Sequence, residues 1–169
     1  MIQVYFWPYR STKIVGHAAL RISVGQGNGL DTYVSWWPSP DGSGPVAPNS
    51  YETDVSWEGP PKGIVSISGL DEAAMRRTWQ TMLARDPKYN VLRKNCAWAV
   101  KTILDAGTGY DFVAAIADLG NLNLAPQSVW TPRKVFDYAG IVKMRFQRKD
   151  PSTGPFKDAS HRSSHLRLS

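Results

Sequence analysis

The sequence predicts an α+β fold in which helices pack on an antiparallel sheet. The first third of the chain alternates strand-like segments, rich in β-branched and aromatic residues, with connections rich in glycine and proline. The later parts carry apolar residues at helical spacing, each run preceded by a residue that caps helices well. A chain of 169 residues with 42% hydrophobic content can bury a core without disulfides, so one domain is expected over residues 1–149.

The β-branched and aromatic runs predict strands at Ile2 to Trp7, Val15 to Val24, Thr32 to Pro38 and Gly63 to Leu70. In the second of these, apolar residues occupy the even positions from 18 to 24, which leaves His17 on the opposite, more polar face. The glycine-rich residues 25–31 are expected to form a hairpin connection, and residues 39–50 a long loop. The first three strands should pair antiparallel.

Three helices follow from capping residues and periodicity. Asp71 is expected to cap the first, which stops before Pro87. Asn95 is expected to cap the second, with Gly107 at its end. For the third, Thr131 is the predicted cap and Pro132 the first helical residue. Gly140 should lie beyond its last turn, and residues 141–146 are then expected to return as a strand.

The cysteine content limits the chemistry of the chain. Cys96 is the only cysteine, which excludes an internal disulfide and a structural zinc site of the usual several-cysteine kind. No metal and no cofactor are expected. The N-terminus has no positively charged start followed by an apolar run, and no segment reaches the ~20 apolar residues that span a bilayer. We therefore expect synthesis in the cytoplasm without a cleavable signal and without a transmembrane segment, with any export by a dedicated secretion system.

The net charge of +6 is concentrated near the C-terminus. Residues 143–169 contain seven cationic and two anionic side chains and are poor in apolar residues. We expect residues 150–169 to form a flexible basic tail that is solvated or contacts an anionic surface, either lipid, nucleic acid or an acidic partner. His161 and His165 lie in this tail, which leaves His17 as the one histidine of the main domain.

Cys96 has two interpretations. A free cysteine is often an inert core residue. If Asn95 caps the helix, however, Cys96 lies in its first turn, where unpaired backbone N–H groups and the helix dipole favour a thiolate, and Arg93 and Lys94 add positive charge. The same N–H groups can stabilise the oxyanion of an acyl-transfer intermediate.

His17 is the candidate base for this thiol. The alternative is a surface histidine without a task. Gly16 before it allows another element to approach closely, which suits a helix N-terminus packed against the strand. One cysteine at a helix start and one histidine on a strand form the pair that nucleophilic acyl transfer requires.

The order of these motifs resembles a known family. "VGHAALRI" (Val15 to Ile22), "TYVSWWP" (Thr32 to Pro38) and "KNCAWAV" (Lys94 to Val100) place a histidine strand before a cysteine helix. This inverted order is similar to the circularly permuted papain-like enzymes. That NlpC-related group includes lecithin:retinol acyltransferase, the H-Ras-like suppressor phospholipase/acyltransferases and small bacterial toxin or effector domains. The resemblance covers about residues 2–105.

The resemblance implies a catalytic role for three residues. Cys96 matches the nucleophile and His17 the base, and the third polar residue, which orients the imidazole, falls on or near Ser35. Asp31 and Thr32 are alternative orienters. The chain has "NCAW" where the acyltransferases have an "NCEH" style of motif, so their lipid substrate does not follow directly from the match.

These observations predict a cysteine-dependent acyl hydrolase or acyltransferase, and the resemblance implies a bacterial effector, either antibacterial or host-directed. Phospholipid esters are the favoured substrate, because Trp36, Trp37 and Trp57 are candidates for an apolar rim near His17. The alternatives are a thiol peptidase, amidase or deamidase acting on peptide or peptidoglycan, a non-enzymatic aromatic-rich binding module, and a nucleic-acid binder acting through the tail. An immunity or delivery protein is a further expected partner.

Overall fold

The computed structural model describes residues 1–11, 16–23, 31–38, 50–85, 89–109 and 129–147. The elements in these ranges are β1 (Ile2–Trp7), β2 (His17–Ile22), β3 (Thr32–Val34), α1 (Tyr51–Glu58), β4 (Gly63–Ile67), α2 (Glu72–Arg85), α3 (Cys96–Thr108) and α4 (Pro132–Gln147). The strands form one antiparallel sheet in the order β3-β2-β1-β4. The predicted α+β fold, an antiparallel sheet with packed helices, is confirmed.

The register of the sheet separates the two ends of β2. His17 lies opposite Trp7, where β1 ends. At the other end of β2, Ile22 lies opposite Ile2 of β1 and Thr32 of β3. His17 and the entrance of β3 are therefore at opposite ends of the strand.

The two faces of the sheet are covered by different helices. The main core joins one face, with residues such as Val4 and Leu20, to buried side chains of α2, α3 and α4. On the other face, Tyr5, Trp7 and Ala19 form a smaller cluster, against which Tyr51 and Val55 of α1 pack. His17 is on this second face by alternation, but it is fully buried and not a surface residue.

The strands are shorter than predicted. β2 ends at Ile22, β3 ends at Val34 before the tryptophan pair, and β4 ends at Ile67. Residues 24–30 and 39–49, which hold most of the predicted hairpin connection and long loop, lie outside the described residues.

The predicted caps of α2 and α3 are present, but the predicted end of α3 is wrong. Asp71 accepts the backbone N–H of Ala74 at 2.9 Å. α3 continues through Gly107 to Thr108. A Cβ at Gly107 would come within 2.6 Å of the Met75 sulfur, so this glycine allows α2 and α3 to pack closely and does not terminate the helix.

The last helix is also longer than predicted. α4 runs through Gly140 to Gln147, so residues 141–146 are helical and do not form a strand. Val135, Ala139 and Val142 are all fully buried, at the spacing of one helical face. Burial of this face outweighs the ~1 kcal/mol that a glycine costs inside a helix.

Within the described residues, no helix is both long and apolar enough to cross a membrane. The predicted basic tail at residues 150–169 lies outside the described part of the chain.

Candidate active site

The structure places Cys96 at the first position of α3. Asn95 caps the helix, since its side-chain oxygen accepts the backbone N–H of Trp98 at 2.9 Å. Its amide nitrogen donates to the backbone oxygens of Val91 at 2.8 Å and Trp130 at 2.7 Å. Asn95 therefore ties the start of α3 to two other segments, which holds Cys96 in place. The thiol residue is 7% exposed.

His17 is enclosed by two tryptophans. Its ring stacks on Trp37 with a centroid distance of 4.2 Å and an interplanar angle of 19°. Trp7 lies on it at 5.6 Å, tilted by 40°. The imidazole is thus shielded from solvent and its ring plane is fixed by packing.

The glycine before His17 allows the start of β2 to lie close to the end of β1. Gly16 has φ +79°, and a Cβ there would lie 2.8 Å from the backbone oxygen of Trp7 and 2.8 Å from the backbone nitrogen of Tyr9. The expected close approach at Gly16 therefore exists, but the neighbour is the end of β1 and not a helix N-terminus. Any side chain at this position would push β2 away from β1 next to the imidazole.

The Nε2 atom of His17 contacts two oxygens. Ser35 Oγ lies at 3.1 Å and Asp54 Oδ2 at 3.2 Å. Ser35, which is 2% exposed, also donates its hydroxyl to Asp54 Oδ2 at 2.8 Å. The serine expected to orient the imidazole is thus in contact with it, but it shares Nε2 with a carboxylate.

Asp54 is the centre of a buried hydrogen-bond network. Besides His17 and Ser35, Tyr33 donates its hydroxyl to Oδ2 at 2.6 Å, and Trp37 donates its indole N–H to Oδ1 at 2.8 Å. Asp54 is fully buried. A carboxylate without solvent contact needs such donors, because leaving it unpaired in the interior is very costly.

Sequence reasoning missed Asp54 because it missed α1. The helix begins after Ser50, whose side chain accepts the backbone N–H of Thr53 at 3.2 Å, and it ends at Glu58, with Gly59 as the C-cap. These end signals are present in the sequence, but the buried residues of α1 are Asp54 and Glu58, so the helix has no apolar stripe. The indole N–H of Trp7 donates to the backbone oxygen of Gly59 at 2.6 Å and so joins the end of α1 to β1.

The charges of the site support one another. Burial acts to lower the pKa of His17, but the electrostatic interaction with Cys96 and the hydrogen bond with Asp54 outweigh it and raise the pKa to about 9. Burial acts to raise the pKa of Asp54, but the hydrogen bond and charge of His17, with hydrogen bonds from Tyr33 and Ser35, hold it below its usual value. These directions favour an imidazolium at His17 paired with the Asp54 carboxylate.

Cys96 affects the pKa of His17, and the imidazole ring has one nitrogen that Ser35 and Asp54 do not contact. Nδ1 of His17 is buried and has no hydrogen-bond partner among the described residues. Since Ser35 and Asp54 occupy Nε2, Nδ1 is the atom through which the ring can exchange a proton with Cys96 or a substrate. Burial, and after it the electrostatic interaction with Cys96, raises the pKa of the Tyr89 hydroxyl well above its usual value.

The other proposed orienters lie elsewhere. Asp31 pairs with Arg21 through two oxygens, at 2.6 to 3.0 Å. Thr32 lies opposite Ile22, at the end of β2 remote from His17. The alternative in which Asp31 holds the imidazole is therefore wrong, since its carboxylate is bound by a guanidinium at the far end of the strand.

The three tryptophans expected to form a rim have different positions. Trp36 is 1% exposed and packs edge-on against Trp79 in the main core, so it is not part of a rim. Trp37 covers His17, and Trp57, which is 53% exposed, packs edge-on against Trp37 at 5.4 Å. One exposed indole, that of Trp57, is therefore separated from the imidazole only by the ring of Trp37.

A second carboxyl group lies one helical turn beyond Asp54. Glu58 is 5% exposed, and its Oε2 is buried without a hydrogen-bond partner among the described residues. Burial raises its pKa, while the charges of His17 and Arg10 act in the opposite direction.

Comparison with known proteins places the chain near bacterial toxins. The sequence model of a family described as the IcsB middle domain matches residues 1–62 and 50–160. A multifunctional-autoprocessing repeats-in-toxin protein of Vibrio cholerae serotype O1 is 37% identical over 81 residues, and one of Vibrio vulnificus is 36% identical over 81 residues. Each alignment covers 47% of this chain but 2% and 1% of the toxins, so the chain corresponds to a very small part of these relatives. No solved structure matches.

Proposed function

The chain belongs to the family of the IcsB middle domain, and from that premise we propose that it is a cysteine-dependent acyl hydrolase or acyltransferase of a bacterial toxin or effector. The toxin part rests on the names of the two relatives. The catalytic part rests on one observation about the buried His17: its Nε2 contacts Asp54, and its Nδ1 has no hydrogen-bond partner among the described residues. In this proposal Cys96 is the nucleophile, His17 the proton carrier, Asp54 the orienting carboxylate and Ser35 its support.

The order of cysteine and histidine is that of the permuted papain-like enzymes, which supports the same assignment. Asp54 supplies what the serine alone lacks, since a carboxylate stabilises an imidazolium more than a neutral hydroxyl does. The network from Tyr33 and Trp37 keeps that carboxylate ionised and in place.

The reaction would proceed in two balanced steps. The Cys96 thiolate attacks the acyl carbonyl carbon, the bond to the leaving group breaks, and that group takes the proton from His17 Nδ1. A thioester on Cys96 results. Water or an acceptor group then gives a proton to Nδ1 and attacks the thioester carbon, which releases the thiolate and restores the imidazolium. Backbone N–H groups in the first turn of α3 would stabilise the oxyanion in both steps.

An acyl chain of a lipid is the substrate that the surroundings favour. Trp57 and Tyr9 are 53% and 64% exposed. Trp57 packs on Trp37, which covers His17, and the backbone of Tyr9 touches Gly16 next to His17. The exposed Trp57 indole, which packs on the ring that covers His17, provides an apolar surface close to the imidazole.

The thiol chemistry can be tested without knowing the substrate. Folded protein is treated with iodoacetamide at pH 6 to 7, and the rate of Cys96 alkylation is measured by mass spectrometry. We expect fast alkylation of the wild-type chain and slower alkylation of His17→Ala and Asp54→Asn, because both variants weaken the imidazolium that stabilises the thiolate. Asp31→Asn is the matched control, since it removes a carboxylate at the far end of β2 and should leave the rate unchanged.

A second experiment tests the acyl transfer. Incubation with phospholipids and with peptide substrates should give a thioester on Cys96, seen as a mass increase that Cys96→Ala abolishes. His17→Ala should abolish turnover as well, and the two losses should not add, because both residues serve one step. A folded wild-type protein whose thiol is inert to iodoacetamide would refute the enzyme and favour the non-enzymatic binding module.

A further inference from the structure

A groove between α2 and α3 has no part in the proposed chemistry. It has a volume of about 600 Å³, which is within the range of small-molecule sites. Trp98 lies in its wall. Because Cys96 and Trp98 are two positions apart on one helix, they point about 200° apart, so the groove is on a different side of α3 from the thiol.

The charged residues that the structure describes in the groove are all cationic. Arg77, Arg85 and Lys94 line it, and no acidic side chain is among the described residues that do. Within the described ranges, none of these three cations is in an ion pair, although other cations of the chain, such as Arg21 and Arg133, pair with carboxylates. A groove of this kind is complementary to an anion.

The groove also has a direction. α2 and α3 are joined by a short connection and lie side by side, so Arg85 at the end of α2 and Lys94 just before α3 are at one end. Ala74 and Ala106 are at the other. From position 74 to position 85 a helix rises about 16 Å. Met82 and Trp98 add apolar surface between the two ends.

We propose that this groove binds a phospholipid with an anionic headgroup, whose phosphate lies between Arg85 and Lys94 and whose apolar part extends toward Ala74 and Ala106. Arginine suits phosphate because its guanidinium can donate two parallel hydrogen bonds. An indole at the boundary between charged and apolar parts is typical of lipid interfaces. The site would hold the protein on a membrane surface independently of the reaction at Cys96.

Binding is tested by isothermal titration calorimetry on the full chain carrying Cys96→Ala, so that no ester is consumed. The probe is monomeric dihexanoyl phosphatidic acid, compared with dihexanoyl phosphatidylcholine and with inorganic phosphate. We expect one saturable site for phosphatidic acid and binding of the other two that is at least 10-fold weaker, because one probe lacks net charge and the other lacks the apolar part.

The location is tested by the double variant Arg85→Ala/Lys94→Ala, which removes both cations placed at the phosphate; alanine preserves the helix propensity at position 85. With about 5-fold lost per cation, binding of phosphatidic acid should weaken about 25-fold. The control Lys62→Ala/Arg133→Ala removes two charges outside the groove and keeps the same basic tail, so it should bind like the parent. Cooperative thermal unfolding verifies that both variants fold.

Three results would overturn the proposal. Equal affinity for phosphatidylcholine would show that the groove does not select an anionic headgroup. Equal affinity for inorganic phosphate would show that it binds free phosphate and not a lipid. Equal losses in the two double variants would place the ligand outside the groove.

Discussion

Replacing Asp54 by asparagine is the most direct test of the site, because it keeps the shape of the side chain and removes its charge. Oδ2 accepts hydrogen bonds from Tyr33 and Ser35 and contacts His17, while Oδ1 accepts from Trp37. An amide can offer only one oxygen. If that oxygen takes the place of Oδ2, the amide N–H₂ faces the indole N–H of Trp37, and the reverse orientation is worse.

The cost can be worked out for stability and for activity. One buried donor left without an acceptor lowers the free energy of unfolding by about 1–3 kcal/mol. Loss of the charge that stabilises the imidazolium should lower kcat about 10³-fold, below the ~10⁴ known for a buried aspartate in a catalytic triad, because Ser35 still contacts Nε2. KM should change little, since Asp54 is fully buried and does not reach a substrate.

The pH dependence gives a second, independent readout. With the pKa of His17 at about 9, the imidazolium of the wild-type chain is present below that pH and is lost above it. Asp54→Asn removes one of the interactions that raise this pKa, while burial continues to lower it. The upper limb of kcat/KM should therefore move by at least about one pH unit toward lower pH.

The assay follows hydrolysis of an acyl ester of an aliphatic alcohol between pH 5.5 and 10, since an alkoxide leaving group needs the proton of His17. Asp31→Asn, in which the carboxylate paired with Arg21 is changed in the same way, should keep the wild-type limb and lose less than threefold in kcat. The reasoning is refuted if Asp54→Asn keeps the upper limb at its wild-type pH and turns over within threefold of the wild-type chain.

Four further predictions concern stability and the remaining residues. The raised pKa of His17 contributes stability that is complete below about pH 6.5 and is lost as the pH rises through about 9, so the unfolding free energy in urea should fall over this window by about 3 kcal/mol or less. The fall should disappear in His17→Ala. Ser35→Ala should lower kcat about 10-fold with the pH limb retained, because the carboxylate still holds Nε2; a silent substitution would show that the serine does not position the ring. Gly16→Ala should lower the unfolding free energy by more than about 2 kcal/mol, because φ is +79° and the new Cβ meets backbone atoms at 2.8 Å, and a melting temperature within one degree of wild type would contradict this. Deletion of residues 150–169 should leave Cys96 alkylation and cooperative unfolding unchanged, and loss of either would mean that these residues pack on the domain.

Local sequence signals predicted well where one residue type decides a local structure. Asn95 and Asp71 cap their helices as expected because the capping hydrogen bond involves residues only three positions apart. The two glycines that were predicted to end helices do not end them. Gly107 and Gly140 lie inside helices, since close packing of α2 on α3 and burial of one face of α4 outweigh the backbone preference of a single residue.

The failure to predict helix α1 from the sequence has a different cause. Helix prediction relies on an apolar stripe, and the inward residues of α1 are Asp54 and Glu58. Its inner side contributes to the network around His17 as well as to the small cluster with Tyr5 and Trp7. An element whose buried residues are polar has no periodic apolar signal, although its buried carboxylate contacts the imidazole directly.

The sequence by itself determined the fold class, the helix start at Cys96 and the pairing of one candidate cysteine with one candidate histidine, because these depend on local periodicity, capping and residue counts. The tertiary structure decided which carboxylate reaches the imidazole. Asp31 and Asp54 are both acidic residues after β2, and only the placement of α1 on the second face of the sheet, together with the position of β3 at the far end of β2, separates them. The burial of His17 was decided in the same way, since two tryptophans from β1 and from the segment after β3 close over a strand position that alternation alone assigns to a polar face.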